Sequence, residues 1–228
     1  EARTFDRAAA VIIEPVITDH SSDRIQYLRE LREKCTKEGV LLIFDETITG
    51  MRFPRLSVAN WCGVAPDIAI LGKAIGGGFP LSVVGGRRDI MEQDYFVSST
   101  FAGGTIALAA CNRLFEIIHN ENSVERIWND GEIFKEEFNK ISPDFIRLEG
   151  YPTRGVFKGT EIGNALFFQE SVKAGVLFGS SWFYCLPHAD ERHRVIALCK
   201  TIISRIEKNE VKLEGEMPKK PYAQKVRS

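Results

Sequence analysis

Short unbroken apolar runs alternate with helical stripes in the first half of the chain. Residues 8–16, AAAVIIEPV, form a short run ended by Pro15, the pattern of a strand buried on both faces in a parallel sheet. Residues 23–37, DRIQYLRELREKCTK, then place Ile25, Leu28 and Leu31 at helical spacing, with Cys35 continuing the stripe and Gly39 as the stop. A second run, Val40 to Phe44, ends at Asp45-Glu46. Strand, helix and strand in this order predict a βαβ unit. Asp67–Gly72 and Leu81–Gly85 are the third and fourth candidate strands. Residues 104–118, GTIALAACNRLFEII, predict a long apolar helix that is expected to be buried.

The pattern changes after about residue 120. Residues 122–140 predict an amphipathic helix with Val124, Ile127, Trp128, Phe134 and Phe138 on its apolar side. Short β-like pieces follow at 145–149, 155–158 and 164–168, and a final helix at about 190–208. Nothing repeats at a fixed period. The expected fold class is α/β: part of a large domain with a mostly parallel sheet and flanking helices over 1–120, then a small α+β domain over 121–208. Residues 209–228 are polar and read as a tail.

Composition narrows the function classes. The chain has 228 residues, 44% hydrophobic and 27% charged, with a formal net charge of -1. No global field favours nucleic acid or an anionic membrane. The basic cluster of Lys219, Lys220, Lys225 and Arg227 reads as a solvated tail. Cys35, Cys62, Cys111, Cys185 and Cys199 are odd in number, widely spaced and without a CxxC pair. That argues against a disulfide framework and a zinc site. His188 and His193 lack an HExxH surround, so no metal is expected. The expected compartment is the reducing cytoplasm. No apolar run approaches a membrane span, and no signal peptide is visible. The chain begins at Glu1 with a strand pattern only a few residues on, from which a true N-terminus further upstream is expected.

Two features carry chemistry. Parallel sheets place ligands beyond the carboxyl ends of their strands, where Asp45-Glu46 and Glu14 both fall. A single strand-end acid more often caps a neighbouring turn. The second feature is LGKAIGGGFP at 71–80, a lysine between an apolar strand and three glycines. A lysine held in apolar surroundings is a usable nucleophile towards an aldehyde. A phosphate loop is excluded because Asp67 stands where a Walker sequence needs glycine and Ala74 where it needs Ser or Thr. No GxGxxG sequence supports a dinucleotide site either. A glycine turn with a surface lysine is the plainer alternative.

The combination is more specific than either part. Asp45 precedes Lys73 by 28 positions, and Ser98-Ser99-Thr100-Phe101-Ala102-Gly103-Gly104 follows. Together with IIEPV at 12–16, LLIFDETITGMRF at 41–53, APDIAILGKAIGGGFPLSVVGGRRDIM at 65–91, STFAGGTIALAA at 99–110 and YCLPHADERHRVI at 184–196, these stretches resemble the class III aminotransferases. These are fold-type I enzymes that use pyridoxal 5'-phosphate (PLP). The match looks best to the branch containing glutamate-1-semialdehyde 2,1-aminomutase, and it extends to about residue 208.

The resemblance implies roles. Lys73 matches the lysine that carries the cofactor as a Schiff base. Asp45 matches the partner of the pyridine nitrogen, and Thr47 stands where the family usually packs Val on one ring face. Thr100 matches a residue that reaches the cofactor phosphate of a neighbouring subunit, which implies a homodimer with shared active sites. Capping of the following helix is the alternative role for Thr100. The family's phosphate-cradling loop and ring-stacking aromatic residue lie upstream of the IIEPV strand, outside this chain. The segment Trp182-Phe183-Tyr184-Cys185-Leu186-Pro187 lacks an arginine that holds a substrate carboxylate in some branches; Arg154 is an alternative carboxylate contact, and Glu14 a second substrate candidate. The implied activity is amino-group transfer on a small amine or carbonyl compound, by an aminotransferase or an aminomutase, with PLP or pyridoxamine phosphate. The competing reading is a catalytically incomplete fragment or structural subunit.

Overall fold

The computed structural model describes residues 5, 8–94, 96 and 98–217. Contacts group the chain into two units. One runs to Asp130 and takes in Gly150–Thr153; the other comprises Gly131–Glu149 and Arg154 onward.

The first unit is built on a four-stranded sheet. Strand β1 (Ala10–Ile13) leads to helix α1 (Ser22–Glu38) and strand β2 (Leu41–Glu46). After the short helix α2 (Val58–Cys62) come β3 (Ile68–Leu71), β4 (Val83–Gly86), α3 (Arg88–Met91) and α4 (Thr105–Glu121). The strand order is β1-β2-β3-β4. The first three strands are parallel, with Ala10 opposite Leu41 and Ile43 opposite Ile68; β4 returns antiparallel, with Ile68 opposite Gly86. The predicted βαβ unit is therefore present, in a mixed sheet.

Local sequence explains α1. Ser21 Oγ accepts from Arg24 N at 3.3 Å, and Gly39 ends the helix with φ +67°, a conformation that favours glycine. Leu28, Leu31 and Cys35 are buried and share a core with Leu42 and Phe44 of β2. Burial alternates strictly along β2, with Leu42, Phe44 and Glu46 inward.

Two expectations about burial change. The run at 8–16 shortens to four strand residues, and it is not buried on both faces: Ile12 is 58% exposed because β1 is an edge of the described sheet. Helix α4 is not buried all round. It buries Ala107, Cys111 and Ile118 but exposes Ile106, Leu108 and Phe115.

The second unit packs α5 (Ser123–Ile141, from residue 131), α6 (Glu161–Lys173) and α7 (Pro187–Glu207) with a three-stranded sheet. The strand order is β5 (Ile146–Tyr151), β6 (Arg154–Gly159), β7 (Ser181–Phe183), with β6 and β7 antiparallel. Phe138, Phe157, Phe167 and Phe178 form its aromatic core, with ring centroids 5.5 Å apart for Phe138–Phe157 and Phe167–Phe178. Residues 164–168, expected as a strand, lie inside α6. Thr160 caps that helix by accepting from Gly163 N at 3.0 Å; the run Ala165-Leu166-Phe167-Phe168 is too short for its period to separate helix from strand.

Asp67 ties the first unit together at the start of β3. It is 5% exposed. Its Oδ2 accepts from Leu42 N at 2.7 Å and from Arg32 of α1 at 2.7 Å, and its Oδ1 from Arg87, just past β4, at 3.0 Å. Burial pushes this carboxyl up, but the Leu42 amide and the two guanidinium groups outweigh it and hold it below the ordinary value of 3.8. Stability from a depressed carboxyl is present above its unfolded value and lost as pH falls through the folded one. Asp67→Ala should therefore cost about 2 kcal/mol at neutral pH, read as a lower urea midpoint. Asp67→Asn should flatten the stability loss that the native chain shows below about pH 4; an unchanged acid limb counts against the clamp.

Candidate active site

The site grows from the carboxyl ends of β2 and β3. Their register sets Asp45 opposite Ile70 and Glu46 opposite Leu71, so Gly72 and Lys73 leave the sheet beside the two acids. Successive strand residues face opposite ways, which gives the two acids different jobs. Glu46 is 1% exposed and accepts from Val58 N at 2.7 Å, Ala59 N at 3.0 Å and Thr49 Oγ1 at 3.0 Å. Burial pushes its carboxyl up, while the two amides and the hydroxyl draw it part of the way back. Glu46 thus pins the 47–57 loop to the start of α2. That loop holds Met51, Arg55 and Leu56 at positive φ.

Asp45 is half-buried on the other face, and its Oδ1 accepts from Thr47 N at 3.0 Å. Thr47 in turn packs on Gly72: a Cβ at Gly72 would stand 3.1 Å from Thr47 Cγ2. A side chain at Gly72 would crowd Thr47. Lys73 follows with φ +48°, a conformation non-glycine residues adopt only where the surroundings enforce it, and one that clusters at functional sites. Gly77 and Gly78, at φ +57° and +97°, turn the chain back. The adjoining Ile75, 3% exposed, anchors this turn in a core shared with Cys111 and Ile118 of α4.

A cavity of about 890 Å³ opens here, its walls including Thr47, Gly72, Lys73, Phe79, Ser99 and Phe101. That volume suits a small ligand with a cofactor. Lys73 and Thr47 are thus brought together, and Asp45 joins them through its bond to Thr47. Thr100 is exposed and is not among the lining residues, although Ser99 and Phe101 on either side are. It does not cap α4, whose N-cap is Gly104 with no side-chain bond. Glu14 is half-buried just past β1 and is not among the cavity residues; its carbonyl accepts from Arg24 Nη2 at 3.2 Å. Arg154 lies in the second unit, its guanidinium 5.7 Å over the Phe183 ring.

One expectation fails here. Lys73 is exposed, so the described residues do not supply the apolar enclosure foreseen for it. Conversely, Phe79, Ser99 and Phe101 went unassigned in the sequence, although the FPLS and SSTF stretches beside the lysine turn and α4 pointed to them. Among the described residues no group of three His, Cys, Asp or Glu side chains is placed to hold a metal, and no helix is long and apolar enough to cross a membrane.

The chain has the fold of PLP transaminases, shown by its likeness to solved structures. The structure of the FumI protein of Sphingopyxis sp. MTA144, in its PLP internal aldimine form, matches 91% of this chain and 54% of its own at a TM-score of 0.79 and 20% identity. The chain belongs to the class III aminotransferase family, whose model matches residues 1–203. It is 33% identical over 205 residues to the glutamate-1-semialdehyde 2,1-aminomutase of Syntrophobacter fumaroxidans, covering 79% of this chain and 47% of that protein. To the enzyme of the same name from Methanosarcina acetivorans it is 36% identical over 201 residues, covering 78% and 47%. The chain spans about half the length of these curated relatives.

The Thr47–Gly72 contact sets the backbone that leads into Lys73. Gly72→Ala should cost about 1 kcal/mol by crowding Thr47. Adding Thr47→Ser, which removes the Cγ2 methyl, should recover most of that loss in a denaturation-based double-mutant cycle. Additive effects would show that the two residues do not set each other's position.

Proposed function

We propose that this chain is the cofactor-carrying part of a PLP-dependent enzyme that moves amino groups between small amines and carbonyl compounds, by aminotransferase or 2,1-aminomutase chemistry. The observation that carries the reading is Lys73, at positive φ, at the end of β3 in a cavity of about 890 Å³, within a chain of the class III family. The residues present fit the group: the Lys73 amine for its aldehyde, the Thr47 and Ser99 hydroxyls on the cavity wall, and the Asp45 carboxylate bonded to the Thr47 amide.

PLP, or its pyridoxamine form, supplies an electron sink when bound. Lys73 Nζ would hold the cofactor through its aldehyde and, once free, would serve as the general base at the substrate carbon. Asp45 would keep the proton on the pyridine nitrogen, because a nearby opposite charge favours the cationic form. Thr47 would pack on the ring. Thr100 would donate its hydroxyl to the cofactor phosphate of a neighbouring copy, which would make the working unit a homodimer with shared sites. The exposure of Thr100 supports that role, as does the apolar surface of Phe101, Ile106 and Leu108 beside it. Glu14 and Arg154 are the candidates for substrate contacts.

The domain reading assigns residues 1–120 to cofactor binding and 121–208 to a small domain, with a tail at 209–228; the two contact units support a two-part chain. The cytoplasm is the proposed compartment, which five unpaired thiols suit. The span of about half of the curated relatives favours one other reading, a catalytically incomplete piece of such an enzyme. Colour and turnover together decide between them. A protein that turns yellow with PLP, keeps the label on one lysine after borohydride reduction and turns over an amine with a carbonyl acceptor is the enzyme; one that binds PLP without turnover is the incomplete piece.

Lys73→Ala should abolish that visible band and the borohydride label, and lower turnover by about 10³-fold or more. A label that persists elsewhere would make another lysine the anchor.

Assembly has its own test. In a protein that also carries the phosphate-cradling loop, mixing Lys73→Ala subunits with Thr100→Ala subunits should restore activity beyond the sum of the parents. A mixed dimer pairs the intact Lys73 of one copy with the intact Thr100 of the other. Recovery no greater than that sum would place Thr100 in its own subunit's site.

A further inference from the structure

Four of the five thiols are sealed in cores; Cys185 is the exposed one. It stands between β7 and α7, in the second unit, and it faces a base. Cys185 Sγ lies 3.3 Å from His188 Nδ1 and 3.9 Å from Nε2. The Cys185 amide donates to the same Nδ1 at 3.1 Å. A nitrogen that accepts from an amide carries no proton of its own, so the ring proton sits on Nε2. The Nδ1 lone pair is therefore presented to the amide and the thiol together. The ring is held in place: the His188 amide donates to the Cys185 carbonyl at 3.0 Å, and the ring centroid lies 5.8 Å from that of Trp182 and 5.4 Å from that of Tyr184. The thiol also precedes the amino end of α7, a helix of 21 residues, where the helix dipole favours negative charge.

We propose that Cys185 is a thiol-modification site at which His188 takes the thiol proton as the sulfur attacks a small disulfide. Cys185 Sγ forms a new bond to one sulfur of the disulfide while the original sulfur–sulfur bond breaks. The departing thiolate receives the proton from His188 and leaves as a thiol, so one disulfide and one thiol are consumed and one of each is formed. No further oxidant is needed.

Burial lowers the His188 pKa from its ordinary 6.5, so the ring is a neutral, proton-accepting base at neutral pH. The charged groups around it are few. Glu191 and Arg192 of α7 share with it a cavity of about 100 Å³, walled by Phe134, Phe178 and Trp182. Glu137 of α5 pairs with Arg192 at 3.5 Å. The other four thiols are buried: Cys111 lies in the core with Ile75 and Ile118, and burial pushes Cys35 and Cys62 up and Cys199 to about 12.

The test uses the whole chain and oxidised glutathione, followed by mass spectrometry of peptides across about pH 5 to 9. The expected result is one mixed disulfide, at Cys185, released by dithiothreitol. Its rate should level off above a midpoint at or below the ordinary imidazole value. An unassisted thiol instead keeps gaining rate up to about pH 8.5. His188→Asn keeps an acceptor for the Cys185 amide but has no proton to exchange; it should slow the reaction about 10-fold or more and move the midpoint to the thiol range. Glu191→Gln, on the same cavity wall, should leave rate and midpoint unchanged. An unassisted profile in the native chain overturns the proposal without reference to any variant. So does equal labelling of a buried cysteine, or a His188→Asn rate equal to the native one.

Discussion

The first unit depends on one carboxylate, placed far from any chemistry. Asp67 binds the Leu42 amide of β2, Arg32 of α1 and Arg87 beyond β4. Four elements therefore share one reference point at the amino end of β3. A strand fixed at one end, and hydrogen-bonded on both sides along its length, delivers its other end to a defined place. Gly72 and Lys73 emerge from that other end. A charge buried this deeply is tolerated because every partner it needs is present, and the same completeness makes the site beyond β3 reproducible.

Glu46 plays the corresponding part at the carboxyl end of β2. Its two oxygens are taken up by two amides and a hydroxyl, so it fixes a loop and leaves the chemistry to Asp45 on the other face. The sequence showed both acids at the end of an apolar strand, and it favoured capping for an isolated acid of that kind. The two-residue period of a strand separates the pair: the acid in phase with Leu42 and Phe44 goes inward. Which of them belongs to the core was not legible, because Val40 to Phe44 is apolar at every position and shows no phase; the burial pattern of β2 settles it. Nor were the partners of Glu46, contributed by residues 49, 58 and 59, because they depend on how an irregular loop folds back.

Elements with strong local signals were readable. Helix α1 has a serine cap, a regular stripe and a glycine stop, and the parallel strands β1 to β3 have apolar runs with no competing period. Reading failed where burial depends on distant partners. Residues 164–168 are as apolar as a strand, yet Thr160 starts a helix before them. Helix α4 is apolar through most of its first turns, a composition that suggests a buried helix. In the structure only one stripe, through Ala107, Cys111 and Ile118, meets the core. A sequence reports how much apolar surface exists; it does not say which chain covers it.

That distinction bears on the lysine. A nucleophilic amine works best where water is excluded, because its hydration opposes the neutral form and weakens every nearby electrostatic contact. Lys73 has the backbone strain, the anchoring by Ile75 and the neighbouring carboxylate of a prepared residue, but it stands exposed. Three large apolar side chains, Phe101, Ile106 and Leu108, are exposed within a few residues of Ser99 on the cavity wall. Leaving that much apolar surface in water forgoes about 1.5–3 kcal/mol for each side chain that burial would recover. The same covering surface that recovered it would also wall the cavity and dry the amine. The proposal of a shared site thus rests on one economy of structure: the exposed apolar face and the exposed lysine call for the same second surface.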